Sequence, residues 1–173
     1  MRIADTIEAF ISGNDWNDEI ERIEETGESR LSTNFMISNQ VFELNVEGYE
    51  NAEILSLSLS PAFRVNNGKY VDACMFFNYI NHSFNFSGRI SVSENGWIRY
   101  RETLNTDGIE LDARMISNML ASGIRLFECH FDAIASIAMT RKTYEVIREE
   151  YLREYDHGKA LPEGTDCGIE NEA

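Results

Sequence analysis

The residues best suited to chemistry in this chain are three histidines, three cysteines and several paired acids. His82, His130 and His157 have no Cys or His at i+2, i+3 or i+4 on a shared helix face, so the ligand spacing of a metal site is missing. Cys74, Cys129 and Cys167 are far apart and form no CxxC pair. Cys129 and His130 are adjacent, and neighbours on a helix project about 100° apart. That is poor geometry for a nucleophile and its base, so a packed thiol beside a partly exposed imidazole is expected. Walker A, GxGxxG and HExxH patterns are absent. Glu24-Glu25 and Glu149-Glu150 read as solvated helix faces. Asp107, Glu110 and Asp112 read as charges that complement a helix start. The chain is therefore read as non-enzymatic, with no catalytic residue, no cofactor and no metal.

Two groups of residues read as binding surfaces instead. Arg99 and Arg101 share one face of a strand, and Arg89 lies on the strand before it. Clustered arginines in an acidic chain suit an acidic partner or the chain's own termini. Tyr144, Ile147 and Tyr151, continued by Tyr155, form an aromatic stripe of the kind found at interface cores. The same stripe equally suits packing on its own domain.

These residues sit in a chain of 173 residues with 15 basic and 30 acidic side chains, a formal charge of −15. Residues 1–30 carry three basic and nine acidic groups, and residues 145–173 carry the same numbers. The middle is nearly balanced. A phosphate backbone or an anionic membrane needs Lys/Arg neutralisation, so neither nucleic acid nor membrane is an expected partner. At this length roughly 70% of the unfolded surface is buried on folding, enough for one core without metal or disulfide. No leader and no apolar run of spanning length is seen, and a reducing cytoplasm is the expected location. The Asn-x-Ser sequons at Asn81 and Asn85 then carry no glycan.

The elements that must position these residues are read from periodicity. Ile3, Ile7, Phe10 and Ile11 predict a first helix over 3–12. Asp15 is expected to cap a second helical piece from Trp16 to Glu25, through Trp16, Ile20 and Ile23. Phe35 and Ile37 predict a short strand, and Asn39-Gln40 a tight connection. Phe42, Leu44 and Val46 predict the next strand. Leu55, Leu57 and Leu59 alternate with Ser56, Ser58 and Ser60, which predicts a strand buried on one face only. Lys69 to Asn81 predicts a helix through Val71, Cys74, Met75 and Ile80, with Phe77 beside that face. Gly88–Ser93 and Trp97–Arg101 predict a hairpin, with Asn95-Gly96 supplying the positive φ angles of a two-residue turn. Asp107 and Glu110 resemble a capping box for the longest helix, which Gly123 is expected to bend or loosen. Residues 140–155 predict a last helix, and residues 158–173 an acidic, disordered tail.

The expected fold is α+β: a five-stranded, mainly antiparallel sheet with helices on one side, in the order α-βββ-α-ββ-α plus a C-terminal helix. Asn78 and Asn81 on the middle helix, Gly88-Arg89-Ile90-Ser91-Val92 on the following strand, Asn95-Gly96 at the hairpin and the apolar stripe Ile109–Ile134 resemble the YbjN family, and through it the fold of type III secretion chaperones. The resemblance runs from the first helix to about Ala138. It implies a domain over 1–138, a helical extension over 139–157 and a tail over 158–173. The family is associated with bacterial sensory transduction and has no accepted catalytic residues. Its chaperone relatives are dimers that bind segments of other proteins.

A protein-binding, chaperone-like or regulatory domain with an unidentified protein partner, possibly also a homodimer, is the leading expectation. Arg89, Arg99, Arg101, Tyr144, Ile147 and Tyr151 are its candidate contacts. The alternatives are a small-molecule sensor or enzyme with a pocket between helix and sheet, and a structural subunit of a larger complex.

Overall fold

Alternation of apolar residues builds one antiparallel sheet, against which the helices pack. In the computed structural model, which describes residues 2–156 with side chains to Glu154, the strands are β1 (Glu21–Ile23), β2 (Glu28–Ile37), β3 (Gln40–Tyr49), β4 (Ile54–Pro61), β5 (Arg89–Val92) and β6 (Ile98–Asn105). The helices are α1 (Ile3–Gly13), α2 (Tyr70–Ser83), α3 (Ala113–Met139) and α4 (Tyr144–Asp156). Every pairing is antiparallel, in the spatial order β1-β2-β3-β4-β6-β5. His157, Cys167 and the expected tail lie outside the described residues, as does the side chain of Tyr155.

One face of the sheet is the core. Leu31, Leu44, Leu57, Leu59 and Tyr100 are fully buried there beneath Ile7 and Phe10 of α1, Phe76 and Ile80 of α2, and Ile116, Leu126 and Phe127 of α3. Each such side chain contributes about 1.5–3 kcal/mol relative to exposure, so this layer dominates stability.

The sheet has six strands rather than five. The helix expected from Trp16 to Glu25 is not formed. Asp15 adopts φ 55°, a left-handed turn, instead of capping. The Trp16 ring packs edge-on to Phe10, with centroids 5.3 Å apart, and the chain then runs extended into β1. Trp16, Ile20 and Ile23 are at helical spacing, but three residues paired with Glu28–Arg30 decide the matter. β2 also begins seven residues earlier than Phe35. Its turn to β3 is a two-residue connection at Ser38 and Asn39, both with positive φ (47° and 65°).

Four further expectations are corrected. The serines of β4 are 3%, 5% and 8% exposed, although they face away from the core. β4 is the central strand, and the longer Glu43, Asn45 and Glu47 on β3 and Arg101 and Thr103 on β6 cover it. On α2 the buried stripe is Ala73, Phe76, Phe77 and Ile80, while Val71 is 68% and Met75 43% exposed. The cap of α3 is Asp112, whose carboxylate accepts from the Arg114 N–H at 2.8 Å; Asp107 and Glu110 belong to the preceding loop. Gly123 does not loosen α3. A Cβ there would come within 2.8 Å of the Tyr100 ring, and one at Gly88 within 2.3 Å. The two glycines form the slot that admits this buried tyrosine. Its hydroxyl accepts from the Gly88 N–H at 3.0 Å and donates to Glu102 at 2.8 Å.

Candidate binding surface

The face of the sheet opposite the helices is lined by polar side chains, and the arginines lie on it. Arg89 stands directly opposite Arg101 in the β5–β6 ladder, and Arg99 opposite Ser91. The three occupy different states. Arg101 donates to Ser56 Oγ at 3.2 Å and to Glu47 Oε2 at 3.3 Å, and Glu47 also meets Arg30 at 3.5 Å. Arg89 turns back to its own strand end and donates to the carbonyls of Phe86 and Gly88 at 2.7 and 3.0 Å. Arg99 is exposed, and its side chain makes no ion pair or hydrogen bond among the described residues.

Two residues before Arg99, just ahead of β6 and on the same face, is Trp97, which is 38% exposed. Arg64 bridges to it across an isolated pair, with its guanidinium carbon 3.5 Å from the ring centroid. The stacked pair forms one wall of a cleft of about 550 Å³, completed by Asn66, Asn67, Tyr70, Glu94 and Asn95. The cleft exists because of the hairpin turn. Gly96 alone of the turn residues has positive φ (79°), and its N–H donates to Ser93 O at 2.8 Å. This is a three-residue turn ending in a left-handed glycine, not the two-residue turn expected. A Cβ on Gly96 would lie 2.7 Å from the Val65 carbonyl, whereas the observed backbone lets Val65 N–H donate to Gly96 O at 2.9 Å. The Cys74 thiol beside Tyr70, together with the nearby Glu94, raises its phenol pKa. Sequence reasoning missed Arg64, Tyr70 and Trp97 as a group; they are brought together only by the Arg64–Trp97 bridge.

The stripe on α4 faces its own domain. Ile147 is 2% exposed. The Tyr151 ring sits about 6 Å from the rings of Phe76, Tyr79 and Phe84, and its hydroxyl meets His130 Nδ1 at 2.8 Å. Tyr144 N–H donates to Asp72 Oδ1 at 2.8 Å. Asp72 is held below the usual carboxylate range by its hydrogen bond to Lys69, which also donates to the Lys142 carbonyl. Tyr144 and Tyr151 are only half-buried, so part of each remains on the surface.

The reactive side chains are accounted for structurally. His130 is 1% exposed, and burial lowers its pKa from 6.5 to about 3, so it is neutral at physiological pH. Its Nδ1 shares a hydrogen bond with the Tyr151 hydroxyl, and its Nε2 makes none among the described residues. The expected packed thiol at Cys129 is corrected: this residue is disulfide-bonded and offers no nucleophile. Glu149 pairs with Arg153 at 3.3 Å and Glu150 with Lys142 at 2.7 Å. No group of three or more His, Cys, Asp or Glu able to hold a metal occurs among the described residues, and no helix there is long and apolar enough to cross a membrane.

Asn81, one of the residues behind the family resemblance, does not end its helix; α2 continues to Ser83. Its amide donates to Ile90 O at 2.8 Å and accepts from Ile90 N–H at 2.9 Å. One side chain thus supplies a rung of β ladder and closes the outer edge of β5.

No family model matches the chain, and no curated protein matches it. Among solved structures, the ExsC–ExsE complex is similar at 11% identity over 70% of this chain and 88% of that one, with a TM-score of 0.45. The Yersinia pestis type III secretion chaperone SycH, in complex with a stable fragment of YscM2, is similar at 14% identity over 78% and 98%, with a TM-score of 0.44. An uncharacterized protein from Methanothermobacter thermautotrophicus is similar at 10% identity over 85% and 97%, with a TM-score of 0.41. The YbjN resemblance accordingly rests on the residues quoted for it.

Proposed function

We propose that this chain is a non-enzymatic protein-binding domain, chaperone-like or regulatory in role, that takes an acidic segment of its partner on the open sheet face around Trp97 and Arg99. The observation that carries this reading is an arginine with no ion pair or side-chain hydrogen bond among the described residues, beside an exposed tryptophan, on the sheet face opposite the described helices. Trp and Arg are the residues in which interface energy concentrates. A local cluster of Arg64, Arg89, Arg99 and Arg101 in a chain of charge −15 gives an acidic partner a defined place to dock. Arg89 and Arg101 support the face while holding their own chain, and α4 contributes the exposed parts of Tyr144 and Tyr151 at most.

Pull-down from the native host tests the reading. Wild type is compared with Trp97→Ala/Arg99→Glu and with Arg114→Glu, a change at the start of α3. A partner lost only with the first variant is expected. Identical partner sets for all three, or none for wild type, count against it.

The 550 Å³ cleft favours a second reading, a small-molecule sensor. A ligand that raises the thermal midpoint of wild type but not of Trp97→Ala would carry it.

A further inference from the structure

We infer that the cleft beside Trp97 binds a free amino acid, with its carboxylate on Arg64 and its ammonium on Glu94. The inference rests on the small-molecule reading of this cleft and deepens it by naming the ligand class.

The two loops that wall the cleft are fixed by their own hydrogen bonds. Asn66 is tied to the end of α3: its N–H donates to Ala138 O at 2.8 Å and its side-chain amide to Met139 O at 3.0 Å. Lys69 N–H donates to Asn66 O at 3.0 Å, with Gly68 at φ 84° between them. On the other wall, Ser93 N–H donates to Trp97 O at 2.9 Å, and the Ser93 hydroxyl accepts from Trp97 N–H at 3.1 Å. Val65 N–H joins the two loops through Gly96 O. Loops held in this way have little freedom left to lose when a ligand arrives.

These bonds divide the loop residues into two groups. Asn66, Lys69 and Ser93 use their side chains within the chain. Arg64, Asn67, Glu94 and Asn95 line the cleft, and none of their side chains makes an ion pair or a hydrogen bond among the described residues.

Arg64 and Glu94 are the pair that selects a ligand. They carry opposite charges in one cleft, yet no ion pair joins them. Arg64 lies over the Trp97 ring instead, 3.5 Å from its centroid. Stacking occupies the face of a guanidinium and leaves its in-plane N–H groups free, the edge that holds a carboxylate by two parallel hydrogen bonds. An ionised Glu94 only accepts, so it calls for a donor, and an ammonium is a charged donor with no acceptor function. The Tyr70 hydroxyl and the amides of Asn67 and Asn95 both donate and accept, so they suit either end of such a ligand.

Net charge excludes the simpler classes. An anion would meet Glu94 and a chain of charge −15, and a cation would meet Arg64. A molecule carrying both charges and no net charge meets neither obstacle. A free amino acid is such a molecule, and a cleft of about 550 Å³ leaves room for its side chain beside Tyr70 and Trp97, which are 41% and 38% exposed. The end of a long polypeptide brings only one of the two charges.

The test uses the full chain and the common L-amino acids as probes. At least one is expected to raise the thermal midpoint of wild type. Its analogue without the carboxylate and its analogue without the ammonium are each expected to bind about tenfold more weakly or worse, because each loses one charge-assisted contact. Arg64→Gln and Glu94→Gln keep side-chain size and remove one charge each. Both are expected to weaken the amino acid by about tenfold or more while the unliganded midpoint stays unchanged. The pairing is read by crossing the two series. Glu94→Gln should weaken the amino acid but not the analogue without an ammonium, and Arg64→Gln should weaken the amino acid but not the analogue without a carboxylate. The inference is overturned if no amino acid stabilises wild type, if either analogue binds as tightly as its parent, or if a variant weakens parent and matching analogue alike. A compound of another class that stabilises wild type but not Trp97→Ala would leave the small-molecule reading standing and overturn this ligand assignment. Glu94→Gln leaves Arg64, Trp97 and Arg99 intact, so its outcome is also separate from that of the sheet-face reading.

Discussion

Lowering the pH from 7.5 to 5 should destabilise this protein through His130 alone by about 2 kcal/mol. The imidazole is 1% exposed, boxed by Phe84, Phe86 and Tyr151, and its folded pKa is about 3 against 6.5 when free. Protonation would place a charge among these rings, away from water. The folded state therefore binds no proton in this window, while the unfolded state gains one below pH 6.5. Stability is full above the unfolded pKa and falls as pH drops toward the folded one. At pH 5 the unfolded state is favoured by 1.36 kcal/mol for each unit below 6.5, which gives the figure of about 2 kcal/mol. With a urea dependence of about 2 kcal/mol/M, the midpoint drops by about 1 M. Asp72 and Asp112 have lowered pKa values, so their contribution disappears only below the usual carboxylate range, outside this window. The assay is urea unfolding at both pH values for wild type and His130→Gln, whose amide can donate to or accept from Tyr151 and does not titrate. The variant is expected to lose stability at pH 7.5 and to show a midpoint difference between the two pH values smaller by about 1 M. Equal pH differences for the two proteins would refute the claim that His130 is buried neutral.

Three further outcomes follow from the packing. Gly88→Ala drives a methyl to within 2.3 Å of the Tyr100 ring and should cost about 1–3 kcal/mol or more in chemical unfolding. Much of that loss should be absent when the change is made in a Tyr100→Leu background. Asn81→Ala removes both hydrogen bonds to Ile90, with an expected cost of about 1–3 kcal/mol and much faster amide exchange at Ile90. Arg99→Ala should leave stability within about 0.5 kcal/mol, because the side chain is exposed and makes no ion pair or hydrogen bond among the described residues; a larger loss would mean that Arg99 is structural.

Legibility in the sequence followed the range of the interactions. Residues 3–12, 42–46, 55–59 and 70–81 were readable because each segment's apolar period matches its element over two turns or more, or over three alternations. β1 was not readable, since three residues carry no period and their state is set by β2. The inward face of α2 was misjudged because Val71 and Met75 fit an apolar stripe as well as Ala73 and Phe76 do. Only the position of β5 and α3 selects between them. The same holds for the site. Arg99 and Arg101 were legible as neighbours on one face, but the sequence did not distinguish the arginine that is tied to Glu47 from the one that is not. Trp97 and Arg64 are 33 positions apart and meet only through a single bridge.

By itself, then, the sequence determined an acidic α+β chain with no catalytic constellation, because charge, period and motif spacing are local properties. The tertiary structure decided which surfaces remain available. It placed the α4 stripe on its own core, tied Ile90 of β5 to Asn81 and left Arg99 exposed beside Trp97, with no ion pair or side-chain hydrogen bond among the described residues. Exposure depends on what every other element covers, and no single segment encodes that.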